Sequence, residues 1–393
     1  MGNKILLIGG TGTLSTDVMR LSVNKGYSVY VLNRGNHTNS ILSDVVLLKA
    51  DIKNKNEINN IIKEHIFDVV IDFLSYNISD IENSLSLFKD KCHQFILIST
   101  ACVYRRQQLG TKITEKSTLG NPYWDYSLNK VACEQYLINQ CNKIGLNYTI
   151  IRPYITYGDT RIPYGIMPSY NWHWTLIARI QNNKPILLWD NGNAVCTLTH
   201  TTDFAKGIVG LYSNPKAYNE AFHIVSDENF TWKEVLKLIG KSINTKAYYI
   251  EIPSEYIVKN IPALKGMLLG DRSLDAIFDN SKIKEAVPEF KCTTTLELGI
   301  AKTIRYYEDN EYLNGIDYQW DAQMDKLIHN YLKEKDPKKL EISNLKFINY
   351  LSFSFSDRII YFVHRYLPDP LISISELFIN IISKIATRFK ISI

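Results

Sequence analysis

Several signals that would assign the chain to a special class are missing from its 393 residues. No apolar run reaches the roughly 18 residues of a membrane-spanning helix. No block of about five or six like charges marks an arm that binds nucleic acid. The N-terminal stretch MGNKILLIGG has too short an apolar run for a secretory signal. We therefore expect a cytoplasmic protein without a nucleic-acid partner.

Cysteines are few and irregularly spaced, and none of the six belongs to a paired zinc signature. We expect free thiols in a reducing compartment and no bound metal. The net charge of +5 is small, and a hydrophobic content of 45% is ordinary for a globular protein. The length is sufficient for two domains.

Short apolar runs alternate with helical patterns through the first half of the chain. The runs KILLIG, YSVYVLN, SDVVLLKAD, FDVVIDF, HQFILIST and NYTIIRPY read as buried strands. Strands at this spacing, with helices between them, predict parallel βαβ units in a doubly wound α/β sheet of the Rossmann type. The pattern loosens after about residue 158, where aromatic and turn residues become frequent.

This change predicts two domains and a tail. The Rossmann domain comprises residues 1–160, and its sheet is completed by about 195–226. A smaller substrate-binding domain comprises 161–194 and 227–336, and a helical tail comprises 337–393.

The tail carries an apolar stripe of helical period. Its members are Ile374, Leu377, Phe378, Ile381, Ile382, Ile385, Ala386 and Phe389. The other face carries Lys384, Arg388 and Lys390. We favour packing of this helix on its own chain or on a second subunit. Peripheral contact with the inner membrane surface is the alternative, because basic amphipathic helices bind anionic lipid.

A glycine-rich turn follows the first predicted strand, in LLIGGTGTLST. Gly9, Gly12 and Ser15 fall in the register G-x-x-G-x-x-G, with serine in place of the last glycine. The turn opens the first helix, whose N-terminus offers unpaired N–H groups to a pyrophosphate. The sequence therefore predicts a dinucleotide site at this turn.

The end of the second strand indicates which dinucleotide is bound. Asn33 and Arg34 stand where a carboxylate would hold the ribose of NAD. Arg34 would pair with a 2′-phosphate instead, so NADP is favoured and NAD is the alternative. Asp51, at the end of the third strand, is placed to bind the adenine amino group. Arg34 as a solvated residue and Asp51 as a helix cap are the competing interpretations.

Tyr126 and Lys130 lie four residues apart on a predicted helix of the sheet region, so both share one helical face. Two other Tyr-x-x-x-Lys pairs fall in a proline-containing turn and in a charged, solvated segment. A nearby ammonium favours the phenolate form of a tyrosine, whose ordinary pKa is about 10. Tyr126 is thereby predicted to exchange a proton with a hydroxyl or carbonyl, by general acid–base catalysis.

Two hydroxyls, Ser99 and Thr100, end the preceding strand in FILISTACVY. They lie at the carboxyl edge, where open α/β sheets bind ligands. Either could steady the reacting oxygen, and either could simply cap the strand end.

These features together resemble the short-chain dehydrogenase/reductase superfamily. STACVY, YSLNKVACE, IIRPYITYG and LTHTTDFAKGI resemble its extended branch, which handles nucleotide sugars, and the similarity spans residues 4–307. EAFHIVSDENFTWKEV is similar to a late segment of that branch, often labelled NAD-dependent epimerase/dehydratase. The resemblance implies a Rossmann sheet, a smaller C-terminal substrate domain and a homodimer.

The resemblance also implies site residues. Tyr126 is the proton-transfer residue, Lys130 is its partner, Thr100 rather than Ser99 is the hydroxyl, and Pro153 lies beside the nicotinamide. The complete cofactor-binding prediction is Gly9, Thr11, Gly12, Thr13, Leu14, Asn33, Arg34, Asp51, Ile52, Phe73, Tyr126, Lys130 and Pro153.

Departures from the family narrow the expected reaction. Ala101 and Cys102 stand where sugar 4,6-dehydratases carry Asp-Glu, which argues against dehydration. Cys102 resembles the cysteine of GDP-fucose synthases, and His173 is its candidate acid–base partner; the alternatives are a buried hydrophobe and a satisfied polar residue. Trp189 is a candidate for substrate stacking. We expect a keto-sugar reductase, with a redox-neutral 4-epimerase or a non-catalytic dinucleotide- or RNA-binding protein as alternatives.

Overall fold

The structure is a computed structural model. It describes residues 3–36, 41–106, 110–169, 172–310, 315–349, 354–368 and 371–372. The predicted apolar stripe of residues 374–389 lies outside the described residues.

The chain divides into two compact units. Unit 1 comprises Met1–Gly158, Ala194–Thr231 and Ala263–Gly299. Unit 2 comprises Asp159–Asn193, Trp232–Pro262 and Ile300–Ile393. The sequence prediction placed all of 227–336 in the substrate domain, whereas residues 263–299 group with the sheet. The substrate-binding role of the second unit stays a prediction.

The strands are β1 (Lys4–Ile8), β2 (Ser28–Asn33), β3 (Val46–Lys49), β4 (Phe67–Asp72), β5 (Cys92–Ile98), β6 (Asn147–Ile151), β7 (Ile155–Tyr157), β8 (Ile186–Trp189), β9 (Val195–Cys196), β10 (Leu198–His200), β11 (Glu220–Phe222), β12 (Phe230–Thr231) and β13 (Tyr249–Ile252).

The helices are α1 (Thr13–Asn24), α2 (Lys55–Ile61), α3 (Ile78–Phe88), α4 (Asp125–Ile144), α5 (Trp174–Gln181), α6 (Thr201–Gly210), α7 (Trp232–Ser242), α8 (Ser254–Asn260), α9 (Lys265–Met267), α10 (Ser281–Ala286), α11 (Leu296–Asp309), α12 (Tyr318–Lys335), α13 (Pro337–Ile342) and α14 (Phe355–Tyr366).

The main sheet of unit 1 has seven parallel strands in the order β11-β6-β5-β4-β1-β2-β3. Residues 5–8 of β1 pair with 29–32 on one side and with 69–72 on the other. The strand order therefore reverses between β1 and β4, and such a switch point is where open α/β sheets bind ligands. The predicted doubly wound Rossmann sheet is confirmed.

Helices cover both faces of this sheet, which explains why its strands are continuously apolar. Ile5 and Leu7 of β1 belong to a buried cluster that includes side chains of α1 and α6. Leu6 and Ile8 face the opposite way, into a cluster that includes side chains of α3 and α4. The two clusters hold the carboxyl ends of the central strands in fixed positions.

Unit 2 is organised around a buried ionic cluster. Arg179 of α5 pairs with Asp321 and Asp325 of α12 at 2.5 and 2.9 Å, and Lys184 pairs with both carboxylates at 2.7 Å. All four side chains are buried, so each charge is compensated by the others. The cluster ties α12 to the α5–β8 segment.

Within the described parts of the chain, no helix is long and apolar enough to cross a membrane.

Candidate active site

The glycine turn joins β1 to α1 in unit 1. Gly9 has φ +87°, and a Cβ at this position would come within 2.7 Å of the Leu74 side chain, so glycine is required there. Gly12 precedes the first residue of α1, and the first turn of this helix contains no acidic residue. The positive end of the α1 dipole is therefore not neutralised by a carboxylate in the first turn, and it can bind an anion.

Ser15, which replaces the last glycine of the motif, braces the turn. Its buried hydroxyl donates to the Gly9 carbonyl at 2.9 Å and accepts the Gly12 N–H at 2.9 Å. The serine thus closes the loop by a hydrogen-bonded bridge.

Replacing Ser15 by alanine should remove this bridge and leave the two backbone groups without that partner. We expect a loss of about 1–3 kcal/mol in the free energy of unfolding and weaker dinucleotide binding, measured by urea unfolding and by titration calorimetry. Thr16→Ala is the matched control, because the exposed Thr16 hydroxyl also bonds to Gly12. Equal losses in the two variants would contradict the bridging role of Ser15.

A cleft of about 820 Å³ opens beside the turn. Seven residues of the cofactor-binding prediction line it, namely Gly9, Thr11, Gly12, Asn33, Arg34, Asp51 and Ile52. The volume is within the range of small-molecule sites.

The far end of the cleft is polar. Asn33 accepts the Gly35 N–H at 2.8 Å through Oδ1, and its buried Nδ2 has no hydrogen-bond partner among the described residues. Arg34 is exposed beside it. Asp51 accepts the Lys53 N–H at 2.9 Å, whereas Asn54 is the residue that caps α2. Asp51 is therefore not the cap of this helix, and its carboxylate borders the cleft.

These features fit a dinucleotide. The turn at the N-terminus of α1 suits a pyrophosphate. The unpaired amide of Asn33 and the carboxylate of Asp51 offer a donor and an acceptor for ribose and adenine groups.

Lys130 is buried on α4, and its ammonium reaches the wall of the cleft. Nζ donates to the carbonyls of Ser75 and Ile98 at 2.6 and 2.9 Å, and lies 4.7 Å from the centre of the Tyr76 ring. Burial lowers the pKa of Lys130, and the Asp72 carboxylate acts in the opposite direction. Lys130 is thereby held at the carboxyl edge of β4 and β5.

Asp72 shapes the turn that presents the Ser75 carbonyl. It is the last residue of β4, and its carboxylate accepts the N–H groups of Leu74 and Ser75 at 2.8 and 3.0 Å. The Ser75 hydroxyl donates to the same carboxylate at 2.6 Å. The fixed turn explains why one wall of the cleft can also hold the lysine.

Tyr126 lies one helical turn before Lys130, at the second residue of α4. The side chain is half-buried, and its ring packs against Trp124 with 5.3 Å between ring centres. The spacing along α4 places both side chains on one face of the helix, as the sequence predicts.

The two hydroxyl groups at the end of β5, those of Ser99 and Thr100, have different hydrogen-bond partners. Ser99 donates to Glu134 at 2.5 Å, and Arg152 holds that carboxylate with hydrogen bonds of 3.0 and 2.6 Å. Thr100 accepts the Cys102 N–H at 3.2 Å. In this bond the Thr100 hydroxyl is the acceptor, and the assignment of Thr100 rather than Ser99 stays a prediction.

Six members of the cofactor prediction are not among the residues that line the cleft, namely Tyr126 and Lys130, described above, and Thr13, Leu14, Phe73 and Pro153. Thr13 and Leu14 begin α1, and Leu14 packs against the core of unit 1. Phe73 also packs against that core. The Pro153 carbonyl accepts the Ala101 N–H at 2.8 Å, which fixes the loop after Thr100.

Cys102 has an acidic neighbour within unit 1. Its Sγ lies 3.6 Å from an Asp271 oxygen, and both side chains are buried. Asp271 forms ion pairs with Arg106 and Arg272. The thiol therefore has an acceptor other than the histidine suggested by the sequence.

His173 belongs to unit 2 and is buried. Its Nδ1 accepts the Ile162 N–H at 3.1 Å. Burial and repulsion by Arg161 lower the pKa of His173 to about 3, although a hydrogen bond to the Pro168 backbone opposes them. The imidazole is neutral near pH 7 and is engaged within its own unit.

Trp189 is completely buried in unit 2. Its ring packs against Tyr164 and Trp232, with centres 5.6 and 5.2 Å apart. This position is typical of a core residue, and the stacking role of Trp189 stays a prediction.

Sequence reasoning missed the turn after β4. Leu74, Ser75, Tyr76 and Asp80 all line the cleft. The sequence feature that could have identified them is the polar segment after the strand FDVVID, because this segment lies at the edge of the sheet where ligands bind. Among the described residues, no group of three or more His, Cys, Asp and Glu side chains could hold a metal ion.

A sequence model of the NAD dependent epimerase/dehydratase family matches residues 5–224, more than half of the chain. The chain is also similar to the chloroplast stem-loop binding protein of 41 kDa b from Arabidopsis thaliana. They are 25% identical over 252 residues, which cover 61% of this chain and 63% of that protein. This chain thus spans about three fifths of the relative's length.

Two solved structures have similar folds. The UDP-glucose 4-epimerase of Thermotoga maritima, solved with UDP-glucose, is 20% identical with a TM-score of 0.65; the match covers 78% of this chain and 99% of the other. The UDP-glucuronic acid 4-epimerase of Bacillus cereus, in complex with NAD, is 18% identical with a TM-score of 0.63 and the same coverage. The motifs, the sheet and the family match lead to one conclusion: the chain belongs to the NAD-dependent epimerase/dehydratase family, in the extended branch of the short-chain dehydrogenase/reductases.

Proposed function

We propose that the protein is an NAD(P)-dependent enzyme that oxidises or reduces a carbon of a nucleotide-activated sugar. The observation that carries the proposal is the position of Lys130. Its buried ammonium binds the carbonyl of Ser75, a residue that lines the dinucleotide cleft, and lies one helical turn after Tyr126.

Tyr126 is the proton-transfer residue of this proposal. In the oxidative direction its phenolate takes the proton of a sugar hydroxyl, while the C–H bond of the same carbon breaks and a C=O bond forms. The oxidised nicotinamide, when bound, accepts the hydride. In the reductive direction Tyr126 returns the proton to the carbonyl oxygen, as in general acid–base catalysis.

Lys130 and Thr100 support this step. The Lys130 ammonium favours the phenolate of Tyr126 and offers its remaining proton to the nicotinamide ribose. The Thr100 hydroxyl donates to the reacting oxygen from the end of β5. Both residues are held by backbone contacts, which reduces the motion needed to reach the transition state.

The chemistry allows a net reductase or a redox-neutral epimerase. Arg34 and the missing carboxylate at the end of β2 favour NADPH, which supplies reductants, so keto-sugar reduction is slightly preferred. Purified protein incubated with UDP-, GDP-, CDP- and dTDP-sugars distinguishes the two. A reductase consumes NADPH in proportion to product, whereas an epimerase leaves the cofactor balance unchanged. No conversion with any nucleotide sugar would count against both.

Arg34→Asp should change the cofactor preference. Loss of the cation and repulsion by the new carboxylate should weaken NADP binding by about 1.5–3 kcal/mol, or roughly 10- to 100-fold. NAD binding should hold or improve, because a carboxylate can accept the free ribose hydroxyl. Lys53→Asp is the control, since Lys53 also lines the cleft and has the same charge change. Unchanged NADP affinity in Arg34→Asp would contradict the assignment.

A second candidate function is binding of a structured RNA without catalysis. The name of the Arabidopsis relative favours it. The small net charge and the retained Tyr126 and Lys130 favour the enzyme. If the purified protein carried no dinucleotide and bound RNA stem-loops in a salt-dependent manner, RNA binding would be favoured over the enzyme.

We further propose a cytoplasmic homodimer, which rests on the family resemblance. Sedimentation velocity of the purified chain tests it, and a monomer at micromolar concentration would contradict it.

A further inference from the structure

Asp72 is a buried, charged residue at the end of a central strand, and the proposed reaction leaves it without a role. Its carboxylate accepts three hydrogen bonds, from the N–H groups of Leu74 and Ser75 and from the Ser75 hydroxyl. Within the described part of the chain, only these uncharged groups donate to it. Burying a charge is costly unless another charge compensates it, so the cation that balances Asp72 has to lie beyond its direct contacts.

Ser75 connects Asp72 to such a cation. The residue that gives its N–H and hydroxyl to Asp72 offers its carbonyl to Lys130 Nζ at 2.6 Å. The second acceptor of Nζ is the Ile98 carbonyl, at 2.9 Å. Both acceptors are neutral, and Lys130 is as deeply buried as Asp72. The ammonium therefore needs a carboxylate near it as much as the carboxylate needs a cation.

Two other groups on α4 lie close to the Lys130 ammonium. Glu134 carries a negative charge, but it is already paired with Arg152 at 2.6 Å. Cys133 is a neutral thiol near pH 7, because burial raises its pKa to about 11. Neither group is placed to balance the charge of Lys130.

The remaining neighbours come from β4, α3 and the turn between them. Asp80 of α3 is half-buried and accepts the Tyr76 N–H at 3.1 Å, so water screens its charge in part. The Tyr76 ring offers Lys130 an aromatic face rather than a charge. Burial lowers the pKa of Lys130, and Asp72 acts most strongly against this effect. Asp72 is thus the principal counter-charge of the lysine.

We propose that Asp72 is a positioning residue of the Tyr126 and Lys130 site, an inference that rests on the proposed function. Through Ser75 it fixes the carbonyl that holds Lys130, and its negative charge maintains the ammonium that favours the phenolate of Tyr126. Asp72 acts through Lys130, so its removal should change the protonation of the lysine before it changes anything else in the site.

Asp72→Asn tests the charge, because asparagine keeps the size of the side chain and can still accept the Leu74 N–H. The pKa of Lys130 should fall by about one unit, since loss of a nearby opposite charge disfavours the ammonium. NMR of protein isotopically labelled at lysine Cε follows this titration without any substrate. The signal of Lys130 is the one that is missing from Lys130→Arg.

Asp68→Asn is the matched control. Asp68 lies at the other end of β4, where its carboxylate accepts the Lys4 N–H at 2.7 Å. The same substitution there should leave the titration of Lys130 unchanged. Equal midpoints for Lys130 in Asp72→Asn and Asp68→Asn would overturn the proposal.

The pH profile of turnover separates a positioning role from a merely structural one. At the alkaline end of the profile, where Lys130 loses its proton, kcat of Asp72→Asn should fall about one pH unit earlier than that of the wild type. A uniform decrease of kcat without this displacement would contradict the positioning role. If no protein, the wild type included, converted a nucleotide sugar, the proposed function would fail, and the lysine titration would still decide the relation between Asp72 and Lys130.

The double variant Asp72→Asn with Lys130→Met covers the case in which Asp72→Asn folds poorly. Methionine removes the uncompensated ammonium that Asp72→Asn would leave buried. The double variant should therefore unfold at a higher urea concentration than Asp72→Asn does. If it were no more stable than Asp72→Asn, Asp72 would not be the counter-charge of Lys130.

Discussion

Replacing Tyr126 by phenylalanine should lower kcat by roughly 10²- to 10⁴-fold, the usual contribution of a positioned acid–base group. The phenyl ring keeps the packing of Tyr126 on Trp124, so the variant should fold as the wild type does. Steady-state turnover of the nucleotide sugar, with dinucleotide affinity measured in parallel, separates a loss of chemistry from a loss of binding.

Tyr123→Phe is the control for this experiment. Tyr123 precedes α4 and is exposed, so removal of its hydroxyl should leave turnover unchanged. If Tyr126→Phe retained wild-type turnover, Tyr126 would not be the proton-transfer residue.

Replacing Arg152 by methionine should destabilise the protein by about 3–5 kcal/mol, because Glu134 would be left as a buried, unpaired carboxylate. Arg152 makes two hydrogen bonds to Glu134 and a third, of 2.7 Å, to the Tyr104 hydroxyl. Glu134 also holds Ser99, the neighbour of Thr100. Urea unfolding, followed by circular dichroism, measures the loss.

The double variant Glu134→Gln with Arg152→Met tests the cause. Since glutamine carries no charge, the double variant should recover part of the stability that Arg152→Met loses. A double variant less stable than Arg152→Met would show that packing of the arginine, rather than charge pairing, sustains this region.

The fold could be predicted because each central strand is a local feature of the sequence. KILLI becomes β1 and FDVVID becomes β4, since both runs are apolar without interruption and are followed by turn residues. The exact start of the first helix is harder to predict: the sequence indicates only that the turn in LLIGGTGTLST opens it, and α1 begins at Thr13. The backbone hydrogen bonds of the glycine turn lead directly into those of α1. Backbone hydrogen bonds depend little on residue type, so the sequence does not reveal where the helix starts.

The candidate site was predictable only where residue type determines chemistry. Gly9, Arg34 and Lys130 each stood out through spacing from a strand or helix end. The partners of Lys130 did not, because it binds the backbone carbonyls of Ser75 and Ile98, and any residue offers a carbonyl. Long-range contacts of this kind follow from the sheet order, which the sequence does not display.

Two candidate residues from the less regular region after about residue 158 show where prediction of a role from the sequence fails. Trp189 was singled out by residue type and His173 by a family resemblance, and both are buried in unit 2. An imidazole or an indole serves packing as readily as chemistry. Only burial and contacts distinguish the two roles.

The most direct test of the Tyr126 and Lys130 site is a stopped-flow single turnover of the purified enzyme with oxidised dinucleotide and its nucleotide sugar, recorded across a pH series. The account predicts that reduced nicotinamide appears faster as pH rises, because the phenolate of Tyr126 removes the sugar hydroxyl proton. Tyr126→Phe should form it slowly and without that pH dependence. A Tyr126→Phe profile that matches the wild type in rate and in pH dependence would contradict the account.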